Sequence, residues 1–249
     1  MKNRRIRVSG VPVTTCSEAE VLSAMNDNIS GGRAPEYIAI TNTESMYFAK
    51  YSREHAQFIE DAAFSCCDGV GVLLAGRAQG VAVDRIYGSG LLNSACQYGV
   101  RHGWRHFLYG GKPGVAELLS RKLEARFPGM RTAGTYSPPF RELEPDEDQR
   151  IVNMINESDC DIVWVGLGLP KQERWIAAHL GRIHAPWMVG VGAAFDYHAG
   201  TVKVPPLWLQ RAGFEWLHRV CHQPRMLIRN FRSLVFVWQS LFWQRRESK

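Results

Sequence analysis

This chain of 249 residues has no CxxC pair and no regular cysteine spacing; its six cysteines stand at 16, 66, 67, 96, 160 and 221. That pattern excludes a disulfide framework and points to reduced thiols. The basic opening MKNRRIR lacks the apolar core of a signal peptide. No run reaches the roughly 18 apolar residues that a membrane-spanning helix needs. The expected location is the cytosol, with contact to a membrane surface left open. P-loop, GxGxxG and HExxH motifs are missing, as are internal repeats and low-complexity linkers. Disorder is excluded as well, because 45% of the residues are hydrophobic and only 22% are charged. What is in excess is positive charge, +6 overall, which suggests an anionic partner: nucleotide, phospholipid or nucleic acid.

Short apolar runs alternate with amphipathic segments. Residues Tyr37–Thr41, Phe64–Cys67, His106–Tyr109, Ile162–Leu167 and Trp187–Val191 read as strands. Between them Ser17–Ile29, Leu91–Arg101, Gly114–Phe127, Pro145–Asn156 and Lys171–Leu180 read as helices, the first opened by a Ser17/Glu20 capping box. This alternation predicts an α/β fold, a parallel sheet with helices on both faces. Ligands of such sheets bind beyond the carboxyl ends of the strands, so the residues after each apolar run carry the function.

Asn42, after the first of these strands, suits sugar hydroxyls or serves as a helix cap. Asp68 ends the second beside Gly69 and Gly71, where a carboxylate can accept a proton or cap a helix. In "HFLYGGKPGVAELL", Gly110, Gly111 and Lys112 precede a helix start and form a phosphate cradle or a tight turn. In "VGLGLPKQERW" a glycine pair delivers Lys171, Gln172 and Glu173, with Gln172 offering an amide to a pyrimidine or sugar edge. "MVGVGAAFDYHAG" repeats that layout and brings Asp196 to the same rim.

Other patterns point elsewhere. "DCD" at Asp159–Asp161 resembles a metal-binding DxD, but it precedes its strand and so lies at the wrong edge of the sheet. His218 and His222 have zinc-ligand spacing without further ligands. Asp146, Glu147 and Asp148 favour a helix N-terminus. Gly110, Gly111 and Gly114 invite a nicotinamide reading, which lacks the acidic residue ending a second strand.

From Arg211 to the end, eight basic residues face two acidic ones, a difference as large as the whole chain's excess. The block Ser233–Trp243 is too short to cross a bilayer, but its aromatics are flanked by Arg229, Arg232, Arg245 and Arg246. That composition suits a helix lying on anionic lipid, with a packing helix or oligomer contact as the rival.

Taken in order, "ITNTE", "CCDGVGVLLAGR", "DRIYGSGLL", "GLGLPKQERWI", "GVGAAFDYHAGTV" and "GFEWLHRVCHQPRMLIRN" resemble the WecG/TagA/CpsF family of bacterial glycosyltransferases. The likeness runs from about residue 5 to residue 232. It implies a Rossmann-like core over residues 1–200 and a basic, aromatic C-terminal helical appendage over 201–249 that closes the site and meets the membrane. It also implies an inverting, metal-independent transferase without a cofactor, moving a sugar from a UDP-sugar to a polyprenyl-diphosphate-linked saccharide in bacterial surface or exopolysaccharide synthesis. By that analogy Asp68 is the general base, Asn42 and Arg85 line the sugar pocket, and Gln172 and Asp196 surround the nucleotide. Arg219 and Arg229 face the diphosphate. Ile40 replaces a usual threonine, so Thr41 would have to supply that hydroxyl; Gly90 replaces an expected aspartate. Val204 and Met226 fall on basic positions, with Arg225 beside the latter. The implied partners are donor, lipid-linked acceptor and an anionic membrane surface at the inner face of the cell membrane, not nucleic acid, and closure by another subunit's tail would make a homo-oligomer. A sugar-nucleotide epimerase or oxidoreductase, and a non-catalytic nucleotide-binding membrane module, are the rival readings.

Overall fold

A computed structural model describes residues 4–69, 73 and 83–202. A hairpin opens it: β1 (Arg5–Val8) and β2 (Val11–Thr14) pair antiparallel across Ser9 and Gly10, both at positive φ. A two-residue turn of that kind matches the twist of the strands it joins. Helix α1 (Glu18–Ser30) follows, started by the Ser17/Glu20 capping box that the sequence predicts.

Strands and helices then alternate: β3 (Glu36–Thr41), α2 (Thr43–Tyr51), α3 (Arg53–Asp61) and β4 (Phe64–Cys67) come first. After them stand α4 (Gly88–His102), β5 (Arg105–Gly110), α5 (Val115–Arg126) and β6 (Arg131–Tyr136). Last come α6 (Pro145–Glu157), β7 (Ile162–Gly166), α7 (Lys171–His179), β8 (Trp187–Gly190) and α8 (Ala194–Ala199).

The six strands from β3 to β8 form one sheet in the order β4-β3-β8-β7-β5-β6, every pair parallel. All carboxyl ends therefore meet one edge. From β5 the chain moves outward to β6, whereas from β7 it moves the opposite way to β8. The boundary between β5 and β7 is thus a switch point, where loops diverge and a crevice forms.

Successive side chains enter opposite layers, as strand geometry demands. Ile38, Ile40, Leu108, Trp164 and Val189 pack with α1, α4, α5 and α8. Tyr37, Ala39, Phe107, Val163, Val165 and Met188 pack with α2, α3, α6 and α7. Each such aliphatic or aromatic side chain contributes about 1.5–3 kcal/mol when fully buried. On the second face an aromatic column runs through Tyr136, Tyr109, Trp175 and His179, with ring centroids 6.0, 4.2 and 4.1 Å apart. Its end is tied down: the His179 ring contacts Trp175 O at 2.7 Å and Asp148 at 2.9 Å, and Arg182 reaches Asp148 at 2.7 Å.

The five predicted strands and five predicted helices are all present. Not foreseen were the opening hairpin, α3, α8 and β6, and of α2 only the cap at Asn42 was anticipated. The edge strand β6 (RTAGTY) is only half-buried and too poor in large apolar residues to announce itself. At the other edge the Thr14 hydroxyl accepts the Ser65 N–H at 2.8 Å, so the hairpin helps cover β4. The five described cysteines are buried and free. The expected appendage falls outside the described residues, apart from Thr201 and Val202.

Candidate active site

Asp68 is the first residue past β4. Its N–H donates to Thr41 O at 3.0 Å, which joins the ends of β3 and β4. Arg85 lies across it, donating Nε–H to the Asp68 carbonyl at 2.9 Å and placing Nη2 3.5 Å from Oδ1. Both side chains are about a quarter exposed (28% for Asp68, 23% for Arg85), so the pair is open enough to meet a ligand. The guanidinium places positive charge beside the carboxylate. The adjacent Cys67 thiol is pushed up to about 12 by burial, so it stays protonated and is a poor nucleophile.

Thr41 and Asn42 stand beside this pair with different settings. Thr41 is fully buried, and its hydroxyl shares a 2.8 Å hydrogen bond with Ser65 inside the sheet. Asn42 is half-buried and caps α2, its Oδ1 accepting the Ser45 N–H at 2.9 Å. The cap uses the carbonyl oxygen, leaving the chemistry of the NH2 group for the rim.

The β7 loop is built around Gln172. Only 4% exposed, it accepts the Gly168 N–H at 3.2 Å and donates to Glu173 at 2.9 Å. A Cβ on Gly190 would lie 2.9 Å from Gln172 Nε2, and one on Gly192 would lie 3.4 Å from Oε1. The carboxamide therefore fills the space between the β7 and β8 loops and fixes Gly168, instead of standing open as its sequence position suggests.

Gly110 and Gly111 end β5 against that loop. Gly110 adopts φ +134°, and a Cβ there would sit 2.6 Å from the Gly166 carbonyl carbon. Only glycine permits both the angle and the approach. Gly111 donates its N–H to Gly166 O at 3.1 Å, and the Ser137 hydroxyl contacts Gly110 O and Lys112 O, each at 3.1 Å. Lys112 is exposed, but Glu117 occupies the first turn of α5 and offsets some of the positive end of its dipole.

Asp196 lies in the first turn of α8 and accepts the Thr201 hydroxyl at 2.9 Å. Two residues on, His198 Nε2 lies 3.0 Å from Ser89 Oγ and 2.9 Å from Ser89 O. Burial keeps the His198 pKa below its ordinary value. A Cβ on Gly88 would meet Val191 Cα at 3.1 Å. The start of α4 is thus pressed against the β8–α8 loop. The glycines and serine of "YGSGLL" were the only sequence hint of this junction.

The strand order places Asp68, Asn42, Gln172, Asp196 and the Gly110–Lys112 turn along one edge of the sheet. Arg219 and Arg229, and likewise His218 and His222, lie outside the described residues. Asp159 and Asp161 sit at the opposite edge, as their position before β7 predicts. Arg105 binds both, donating its backbone N–H to Asp161 at 2.7 Å, so the DCD stretch braces β5 against β7. Asp146, Glu147 and Asp148 form the first turn of α6, with Glu147 closing a capping box to Glu144.

The six parallel strands and the helices around them define an α/β protein with all its strand carboxyl ends at one edge. A family model described as Glycosyl transferase WecG/TagA/CpsF family matches residues 6–249, and the chain belongs to that family. Over 184 residues it is 28% identical to an N-acetylglucosaminyldiphosphoundecaprenol N-acetyl-beta-D-mannosaminyltransferase of Staphylococcus aureus strain NCTC 8325 / PS 47, covering 74% of this chain and 70% of that protein. The protein of the same name from strain COL matches to the same extent. The chain is a glycosyltransferase.

Proposed function

We propose that this glycosyltransferase moves a sugar from a UDP-sugar to a polyprenyl-diphosphate-linked saccharide during bacterial cell-surface polymer synthesis, inverting the anomeric centre without a metal. The observation that carries the reading is the Asp68–Arg85 pair at the end of β4, a half-open carboxylate beside a fixed positive group. The names of the Staphylococcus aureus relatives support the acceptor class.

In a single displacement Asp68 takes the proton of an acceptor hydroxyl. The freed oxygen bonds to the anomeric carbon as the bond to UDP breaks on the opposite face. Asn42 would hold a sugar hydroxyl through its NH2, and Arg85 would line the same pocket. Gln172 would act through the Gly168 loop that it fixes, with Asp196 beside the nucleotide. Charge on the leaving diphosphate would be met by main-chain amides near Gly110, Gly111 and Lys112 and by Arg219 and Arg229. Thr41, buried against Ser65, would support the β3–β4 edge. No helix among the described residues is long and apolar enough to cross a membrane. The arginine-rich residues after 211 would bring the enzyme to anionic lipid at the inner face of the cell membrane.

The test is a panel of UDP-sugars offered with a short-chain lipid-diphosphate saccharide in the presence of EDTA. One donor should give a product of inverted configuration. Retention of configuration, or transfer only after a metal is restored, would refute the mechanism.

A further inference from the structure

Tyr87 makes two contacts that its place at a helix start does not explain. The Arg85 guanidinium carbon lies 5.1 Å from the centroid of its ring. A Cβ on Gly90 would come within 2.8 Å of Cζ and 2.9 Å of Cε1 of the same ring. A chain of contacts thus runs from Gly90 through Tyr87 and Arg85 to Asp68.

Two of its members, Tyr87 and Gly90, look ill-chosen for local structure. Tyr87 is the N-cap residue of α4 but makes no side-chain cap bond. Serine, threonine, asparagine or aspartate would cap better. Gly90 stands in the first turn of the same helix, although glycine is among the weakest helix formers. Departures of this kind from local preference gather at functional sites. Both are explained if the ring is needed where it lies. The Arg85–Asp68 ion pair, at 3.5 Å, is longer than the roughly 2.7–2.9 Å of a tight charge-assisted bond. The Nε–H bond to the Asp68 carbonyl and the Nη2–Oδ1 contact engage one edge of the guanidinium, and the aromatic ring adds a restraint of its own.

We propose that Tyr87 is a positioning residue for sugar transfer: its ring holds Arg85 against Asp68, and Gly90 is the glycine that admits the ring. The inference rests on Asp68 being the base.

Three variants of the full chain test it. Tyr87→Ala should lower kcat by about tenfold, the scale of one lost cation–π restraint, with a smaller change in KM for the donor. Tyr87→Phe keeps the ring and should restore most of that rate. Gly90→Ala should strengthen the helix yet lower kcat, because its Cβ displaces the ring, and should add nothing to Tyr87→Ala. A readout free of turnover is the Nε–H signal of Arg85 in 15N-arginine-labelled protein, assigned with Arg85→Lys. It should exchange faster with solvent in Tyr87→Ala and Gly90→Ala than in Tyr87→Phe. Wild-type kcat in Tyr87→Ala, additive losses in the double variant, or an unchanged Arg85 signal would each overturn the proposal. An active Asp68→Asn would instead remove the base assignment, while the arginine signal would still show whether the ring holds Arg85.

Discussion

His198 and Ser89, 109 residues apart, meet through one imidazole nitrogen and so fasten α8 to the first turn of α4. The latch joins the segment carrying Asp196 to the segment that follows Arg85. Nε2–H donates to the Ser89 carbonyl in either protonation state of the ring, and that bond partly opposes the burial that holds the His198 pKa down.

The same physics extends to His55 and His106. Burial foremost pushes both down to about 4, His55 with added repulsion from Arg174, while Asp161 partly opposes the shift of His106. Their unfolded value is 6.5, so below it the unfolded chain takes up protons that the fold refuses. The part of the stability that these two histidines carry should therefore fall as pH drops from 6.5 towards 4, each group contributing on the order of 2–3 kcal/mol. Urea midpoints at several pH values would show the slope, and His55→Asn should flatten it. A midpoint that rises in acid would contradict the account.

Asp68→Asn keeps shape and removes basicity. Turnover should drop by at least two to three decades, on the scale of a lost catalytic group, with UDP affinity by calorimetry unchanged within about twofold. Near-native rates would reassign the base.

Gln172→Ala empties the space between Gly168, Gly190 and Gly192 and strips the Gly168 N–H of its acceptor. A stability loss of about 1–3 kcal/mol is expected. Because the loop loses its shape, KM for the donor should rise more than kcat falls. Equal loss in both would indicate a direct role in the transition state.

Asp161→Asn cuts a strut at the far edge of the sheet. It should lower the melting temperature and leave kcat/KM of the folded enzyme within about threefold, since the site is elsewhere. EDTA should change little. A strict Mn2+ requirement, abolished by Asp159→Asn, would revive the metal-binding interpretation of these residues.

Removing the residues from Arg211 onward should raise solubility and lower activity on lipid-linked acceptor. Binding of the intact chain to anionic vesicles should weaken as salt rises, because Coulomb attraction is screened within about 8 Å at physiological ionic strength. Full activity of the shortened chain would refute closure of the site by this segment.

Much of the frame was legible because its strands are buried on both faces, which leaves continuous apolar runs such as Ile162–Val165. The order of strands was not legible: nothing local in β8 says that it inserts between β3 and β7. The rim residues were legible as positions after strands, but not their orientation. Thr41 ends β3 and Gln172 opens α7 at the expected edge, yet side-chain packing turns them inward, and packing of Gln172 depends on two glycines 18 and 20 residues away. Tyr87 escaped notice because its meaning lies in contacts with residues 85 and 90 at once, which no strand or helix period reveals.

The close approach of β5 and β7 at the sheet edge has an evolutionary consequence. Where Gly110 abuts Gly166, and a Cβ on Gly166 would strike the Phe195 ring at 2.6 Å, the floor is made of main chain and one aromatic plate. Such a floor cannot be recarved one substitution at a time. New sugars and new lipid carriers must be accommodated by the walls around it, so enzymes that make unrelated polymers can inherit the same base plate unchanged.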